Sequence, residues 1–189
     1  MVILETNFTE LNKAIGKKLT KKELEETLFD LGMELENAEK DEIKVEITPD
    51  RPDLLSTQGL GRALKAYLGI KTGLREYKIK KSEIKINVDK SVEKVRPFTV
   101  AAVVKNLKLD YGKIKEIINI QEKLHNTFAR KRKKTSIGIY PLENISSPIT
   151  YLAEKADKIR FVPLDFEKEL TGKEILEKHP TGIKYADLL

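Results

Sequence analysis

The sequence predicts an α+β fold built in two units. Helical stripes of leucine and isoleucine, several opened by capping motifs, alternate with short β-branched runs, and a basic, glycine-punctuated stretch at residues 71–81 parts an earlier set of elements from a later one. A chain of 189 residues is long enough to bury a core in one or two domains.

Taken in order, residues 1–6 read as a short buried strand, and Phe8, Leu11 and Ile15 recur at helical spacing. Thr20-Lys21-Lys22-Glu23 has the form of a capping box, in which the Thr hydroxyl accepts a free backbone N–H while the Glu reaches back. The helix it opens carries Leu24, Leu28 and Leu31 on one face and stops at Gly32. Residues 34–39 and 43–47 predict two strands around Lys40-Asp41-Glu42, with Ile43, Val45 and Ile47 alternating. The prolines of Thr48-Pro49-Asp50-Arg51-Pro52-Asp53 fix φ and remove donors, so this segment is a turn. Ser56 or Asp53 then caps a helix whose core face is Leu60, Ala63, Leu64, Tyr67 and Leu68, ending at Gly69. Gly59 and Gly61 cost such a helix about 1 kcal/mol each against alanine, and close approach of another backbone is a reason to keep them.

Beyond residues 71–81, Ile84, Ile86 and Val88 alternate as a strand, and residues 98–104 form a continuous apolar run expected as a strand buried on both faces. Residues 111–129 predict the longest helix, with Ile114, Ile117, Ile120, Leu124 and Phe128 as its inner stripe. Residues 135–140, 149–153 and 159–162 read as further strands. Thr171-Gly172-Lys173-Glu174 is a second capping box, opening a short helix before Pro180.

Charged residues make up 35% of the chain, above the usual quarter, the skew found in heat-adapted proteins. Cysteine is absent, which excludes disulfides, thiolate chemistry and cysteine zinc sites and makes a reducing cytoplasm the expected compartment. His125 and His179 are too far apart in sequence to read as a local ligand pair. No apolar run approaches a membrane span, and no membrane partner is expected. A net charge of +6 and a pI of about 9.2 favour phosphate-rich partners without naming one.

The sharpest local feature is Arg130, Lys131, Arg132, Lys133 and Lys134, five consecutive cations between a predicted helix and a predicted strand. Such a run is tolerable in solvent and favourable beside phosphates, where each neutralised phosphate releases counterions. The plainer alternative is a solvated helix end whose cations complement the negative end of the dipole. His125, at the edge of an apolar stripe, reads as a packed or surface residue rather than a base or ligand, and His179 carries no stronger signal. Tyr140 can stack on a base, yet at a strand end it reads as core. Asp50, Arg51 and Asp53 could shape a pocket, but a fixed salt bridge on an Asp turn explains them more simply. Phosphate-cradling glycine loops, serine nucleophile elbows and zinc spacings are all missing from the sequence.

Glu46-Ile47-Thr48-Pro49-Asp50-Arg51-Pro52-Asp53-Leu54-Leu55, followed by Gly59-Leu60-Gly61-Arg62-Ala63-Leu64, resembles the turn-and-helix signature of the phenylalanyl-tRNA synthetase β subunit. Arg96-Pro97-Phe98-Thr99-Val100-Ala101-Ala102-Val103-Val104 is similar to the strand that opens that subunit's next module. Gln121-Glu122-Lys123-Leu124-His125, the pentabasic run and Ile137-Gly138 resemble the archaeal and eukaryotic branch. The resemblance implies a heterotetramer of two α and two β chains, in which the α chain carries the ATP-dependent adenylation site. The β chain supports the assembly, contacts tRNA and contains a domain that hydrolyses mischarged tRNA.

On that resemblance residues 1–70 are the first β-subunit domain, 71–82 a linker, and 83–189 the opening portion of an editing-type mixed α/β module. The implied partners are the synthetase α subunit, tRNA(Phe) and the remainder of the β subunit. ATP and magnesium belong to the whole enzyme, with no cofactor, metal or catalytic residue expected in this segment, and the five cations of residues 130–134 are its candidate RNA-binding group. Two departures qualify the match: the sequence stops at Leu189, where the family pattern continues, so a fragment or a shortened relative is expected. Tyr140 and Pro141 stand where many family members carry His and Asp, so editing is expected to be incomplete. The alternatives are a free-standing RNA-binding or trans-editing module and a protein-only scaffold.

Overall fold

The computed structural model describes residues 2–48 and 50–188. The chain forms two compact units of interleaved segments. One comprises the chain up to Lys78 together with Lys108–Ile137, the other Ile79–Leu107 with the chain from Gly138 onward.

The first unit is built on an antiparallel sheet of β1 (Val2–Asn7), β2 (Glu34–Glu39) and β3 (Glu42–Ile47), in the order β1-β3-β2. The alternation of Ile43, Val45 and Ile47 places all three in the core, as the period of a strand requires. β1 is an edge strand, not the buried strand expected of residues 1–6, and Leu4 is its buried side chain (Met1 lies outside the described residues). Pro49 of the expected turn likewise lies outside them.

Helices α1 (Phe8–Ile15), α2 (Lys21–Asp30) and α3 (Thr57–Tyr67) add Leu11, Ile15, Leu24, Leu28, Leu60 and Leu64 to the core, and the connecting segments add Leu19, Met33, Leu54 and Leu55. Asp41 of the β2–β3 turn caps α1 from a distance, its carboxylate accepting the Thr9 N–H at 3.0 Å. The capping box of α2 is closed, with Glu23 N–H donating to the Thr20 hydroxyl at 3.2 Å and Thr20 N–H to Glu23 at 2.7 Å. At the other end Gly32, at φ +72, lets the Met33 N–H reach Leu28 O at 2.9 Å, and Leu31 falls at the cap rather than on the buried face. Ser56, not Asp53, caps α3. Tyr67 leaves the core and donates its hydroxyl to Asp30 at 2.9 Å. Gly61 is forced by packing: a Cβ there would lie 2.5 Å from the Ala14 Cβ of α1.

Helix α4 (Tyr111–Asn126) also belongs to this unit, capped by Asp110 through the Lys113 N–H at 2.9 Å. Its Glu116 lies near the Gln58 N–H at the start of α3, which draws the carboxyl down, but the Glu116 Oε1 is buried without a partner, and burial, the larger effect, pushes this carboxyl up. The expected inner stripe is displaced: Ile114 and Phe128 are exposed, and His125 and Ala129 are the fully buried positions at the helix's C-terminal end.

The second unit contains two two-stranded sheets, parallel β4 (Ile86–Val88) with β5 (Ile149–Tyr151) and antiparallel β6 (Arg160–Phe161) with β7 (Leu170–Thr171). It also holds α5 (Gly172–Lys178), with its capping box closed, and α6 (Pro180–Tyr185), whose first turn is capped by His179 accepting the Thr181 N–H at 3.2 Å. The expected strand at 98–104 is absent. None of these sheets offers it a partner, and Phe98 and Val100 stand 92% and 97% exposed. Among the described residues no helix is long and apolar enough to cross a membrane.

Candidate nucleic-acid interface

The pentabasic run begins where α4 ends. Ala129 N–H closes the last turn onto Leu124 O at 2.9 Å, and the backbone then reverses its hand: Arg130, Lys131 and Arg132 have φ of 50°, 54° and 67°. Left-handed backbone costs a residue with a side chain roughly 1–2 kcal/mol, so three together cost roughly 3–6 kcal/mol. Hydrogen bonds hold the turn. Lys134 N–H donates to Ala129 O at 3.0 Å, Lys133 N–H to Arg130 O at 3.2 Å, and Arg132 N–H to His125 O at 3.2 Å.

Side chains of α4 complete the clamp. His125, only 1% exposed, accepts the Ile137 N–H on Nε2 at 2.8 Å, so a neutral ring carries its proton on Nδ1, which faces Glu122 Oε1 at 3.4 Å. The same Glu122 oxygen accepts from Arg132 Nη2 at 2.5 Å. Gln121 Nε2 donates to Ile137 O at 2.8 Å. Both backbone groups of Ile137 are therefore held by side chains, which is why residues 135–140 do not form the expected strand. His125 is the packed residue that its place on the helix predicts, yet it also bonds the chain that follows the basic turn.

Of the five sequence-predicted site residues, Arg130, Lys131, Lys133 and Lys134 lie exposed on one turn. Lys134 Nζ sits 4.6 Å above the Phe128 ring, and the Arg132 side chain is only 19% exposed. Gln121 and Glu122 were not singled out as site residues. Their signal was available in the helical spacing of Gln121, Glu122 and His125, three polar residues gathered at the end of an otherwise apolar stripe.

Other candidates resolve differently. Arg51 and Asp53 form a two-bond salt bridge at 3.0 and 2.9 Å, as the simpler reading of that turn expects, and the Arg51 guanidinium holds the Asp53 carboxyl below its ordinary range. Tyr140 is exposed, not core, and its ring covers the face of Gly138. His179 Nε2 lies 3.0 Å from Leu164 O, a structural placement.

Residues 1–70 match the family described as the Phe-tRNA synthetase beta subunit B1 domain. The whole chain is 40% identical over 190 residues to the phenylalanine–tRNA ligase beta subunit of Methanocella arvoryzae and 38% identical over 189 residues to that of Methanosphaera stadtmanae. In each case it covers 100% of this chain and 34% of the relative, so the chain spans about a third of the length of these proteins. A crystal structure of an N-terminal fragment of the phenylalanyl-tRNA synthetase beta-subunit from Pyrococcus horikoshii superimposes with a TM-score of 0.90 at 34% identity, covering 100% of this chain and 55% of that one.

Proposed function

We propose that this chain, which belongs to the phenylalanyl-tRNA synthetase β-subunit family as an N-terminal segment, serves tRNA(Phe) aminoacylation by contact and assembly rather than by bond-making. The observation that carries the reading is the left-handed turn after α4, which presents Arg130, Lys131, Lys133 and Lys134 to solvent on a fixed backbone. Closely set cations on a fixed frame suit a phosphate backbone, because each phosphate neutralised releases counterions and no loop has to be ordered first.

The adenylation step, with its ATP and magnesium, falls to the α subunit of the assembly, the heterotetramer that the family implies. Residues 83–189 are the opening portion of a larger editing-type module, and the second unit makes up most of them. Among its described residues Val92 is the one buried aliphatic side chain, and two-stranded sheets of two and three residues per strand are too small to stand alone. Its Tyr140 and Pro141, where many family members carry His and Asp, leave editing incomplete in this segment.

A titration of the 189-residue chain with an unmodified tRNA(Phe) transcript tests the RNA contact. Affinity should fall steeply with salt, and Lys131→Met and Lys133→Met should each flatten the log–log slope by about 0.7–0.9. Unchanged slopes in both variants would remove the turn from the interface. Co-purification with the α subunit tests the assembly role.

A further inference from the structure

The basic turn is held by a circuit that its charge alone does not require. Arg132 differs from its neighbours: it is the one whose side chain is largely withdrawn from solvent, and its Nη2 is bonded to Glu122. Glu122 in turn faces His125, and His125 with Gln121 grips the N–H and C=O of Ile137. The last residue of the left-handed segment, Arg132, and the chain five residues beyond it, at Ile137, are thereby tied to α4.

We infer that Glu122 and His125 are positioning residues for RNA, acting through Arg132, which is the pin of the turn and not a phosphate ligand. This rests on the proposed tRNA contact. The groups that meet the phosphates are Arg130, Lys131, Lys133 and Lys134.

Simple electrostatics predicts the opposite sign. If the run acted only as a cloud of positive charge, deleting the neighbouring Glu122 carboxylate would strengthen its hold on a polyanion. If the turn must be pinned, the same deletion weakens it. Glu122, with a side chain 42% exposed, can be changed without opening the core, whereas His125 is buried.

The experiment compares Glu122→Gln with Lys131→Met in the 189-residue chain, using the tRNA transcript at several salt concentrations and amide hydrogen exchange at Ile137. In Glu122→Gln the affinity should fall severalfold with the salt slope kept, and the Ile137 amide should exchange faster. In Lys131→Met the slope should flatten while Ile137 stays protected. Binding by Glu122→Gln that is as tight as wild type or tighter overturns the inference, even where Lys131→Met confirms the RNA contact. Unchanged protection of Ile137 in Glu122→Gln overturns the clamp whether or not RNA binds.

Discussion

Replacing Gly61 by alanine pits two opposed effects that can be separated. In an isolated helix the change is favourable by about 1 kcal/mol, since glycine loses more backbone freedom on folding. Here the new methyl would stand 2.5 Å from Ala14 Cβ and 3.2 Å from Ala14 C, against a comfortable carbon–carbon separation of about 3.5–4.0 Å. Helices α1 and α3 would have to part by about 1 Å, and overpacking of that kind costs about 1–3 kcal/mol. Gly112 supplies the control: it also lies in a helix, α4, but its added Cβ meets only Asp110 Oδ1, at 3.5 Å. Urea unfolding followed by far-ultraviolet circular dichroism should therefore place Gly61→Ala about 1–3 kcal/mol below Gly112→Ala, which gains up to about 1 kcal/mol. Ala14→Gly in the Gly61→Ala background should recover part of the loss beyond what the two single changes predict together. Equal gains from Gly61→Ala and Gly112→Ala would refute the claim that contact with α1 is what requires glycine.

Thr20→Ala should cost about 1 kcal/mol by opening the capping box of α2, read as a lower urea midpoint with an unchanged slope. The Glu174 carboxyl is held down to about 2, first by the Thr171 N–H, then by Lys178 and the Thr171 hydroxyl. A depressed carboxylate stabilises the fold above its ordinary range near 4.5 and loses that contribution as pH falls towards 2; a carboxyl NMR titration with its midpoint at the ordinary value would contradict the box at α5. Glu116 runs the other way: burial raises it, so its ionisation opposes folding, an effect absent at acid pH and complete once pH exceeds the raised value. Glu116→Gln, which keeps the side chain's size and a carbonyl acceptor without its charge, should be at least as stable as wild type at pH 7, and a clear loss would show that the charge itself is needed.

What the sequence disclosed was what is decided locally. The capping boxes at Thr20 and Thr171, the glycine stops at Gly32 and Gly69 and the alternation of Ile43, Val45 and Ile47 each follow from residues within a few positions of one another. Strands and helix faces are decided by partners. Residues 98–104 have the composition of a strand but no neighbouring strand, and residues 135–140 lose their chance of one because Gln121 and His125 already hold Ile137. The stripe on α4 misled because periodicity gives the direction of a helix's apolar face and not what will cover it. Of the site, the cations were plain from the sequence. The reversal of backbone hand that aims them was not, since arginine and lysine carry no preference for positive φ.

Among the described residues, the fourteen buried side chains of the first core all lie between Leu4 and Leu64, whereas α4 begins at Tyr111. A growing polypeptide can thus seal that core several seconds before α4 leaves the ribosome, at synthesis rates of about 5–20 residues per second. Helix α4 then arrives at a finished surface, where the start of α3 with Gln58 is already in place beside Glu116. The basic turn and the few residues up to Ile137 are the last part of this unit to be made, and they are built onto a scaffold that no longer needs to move.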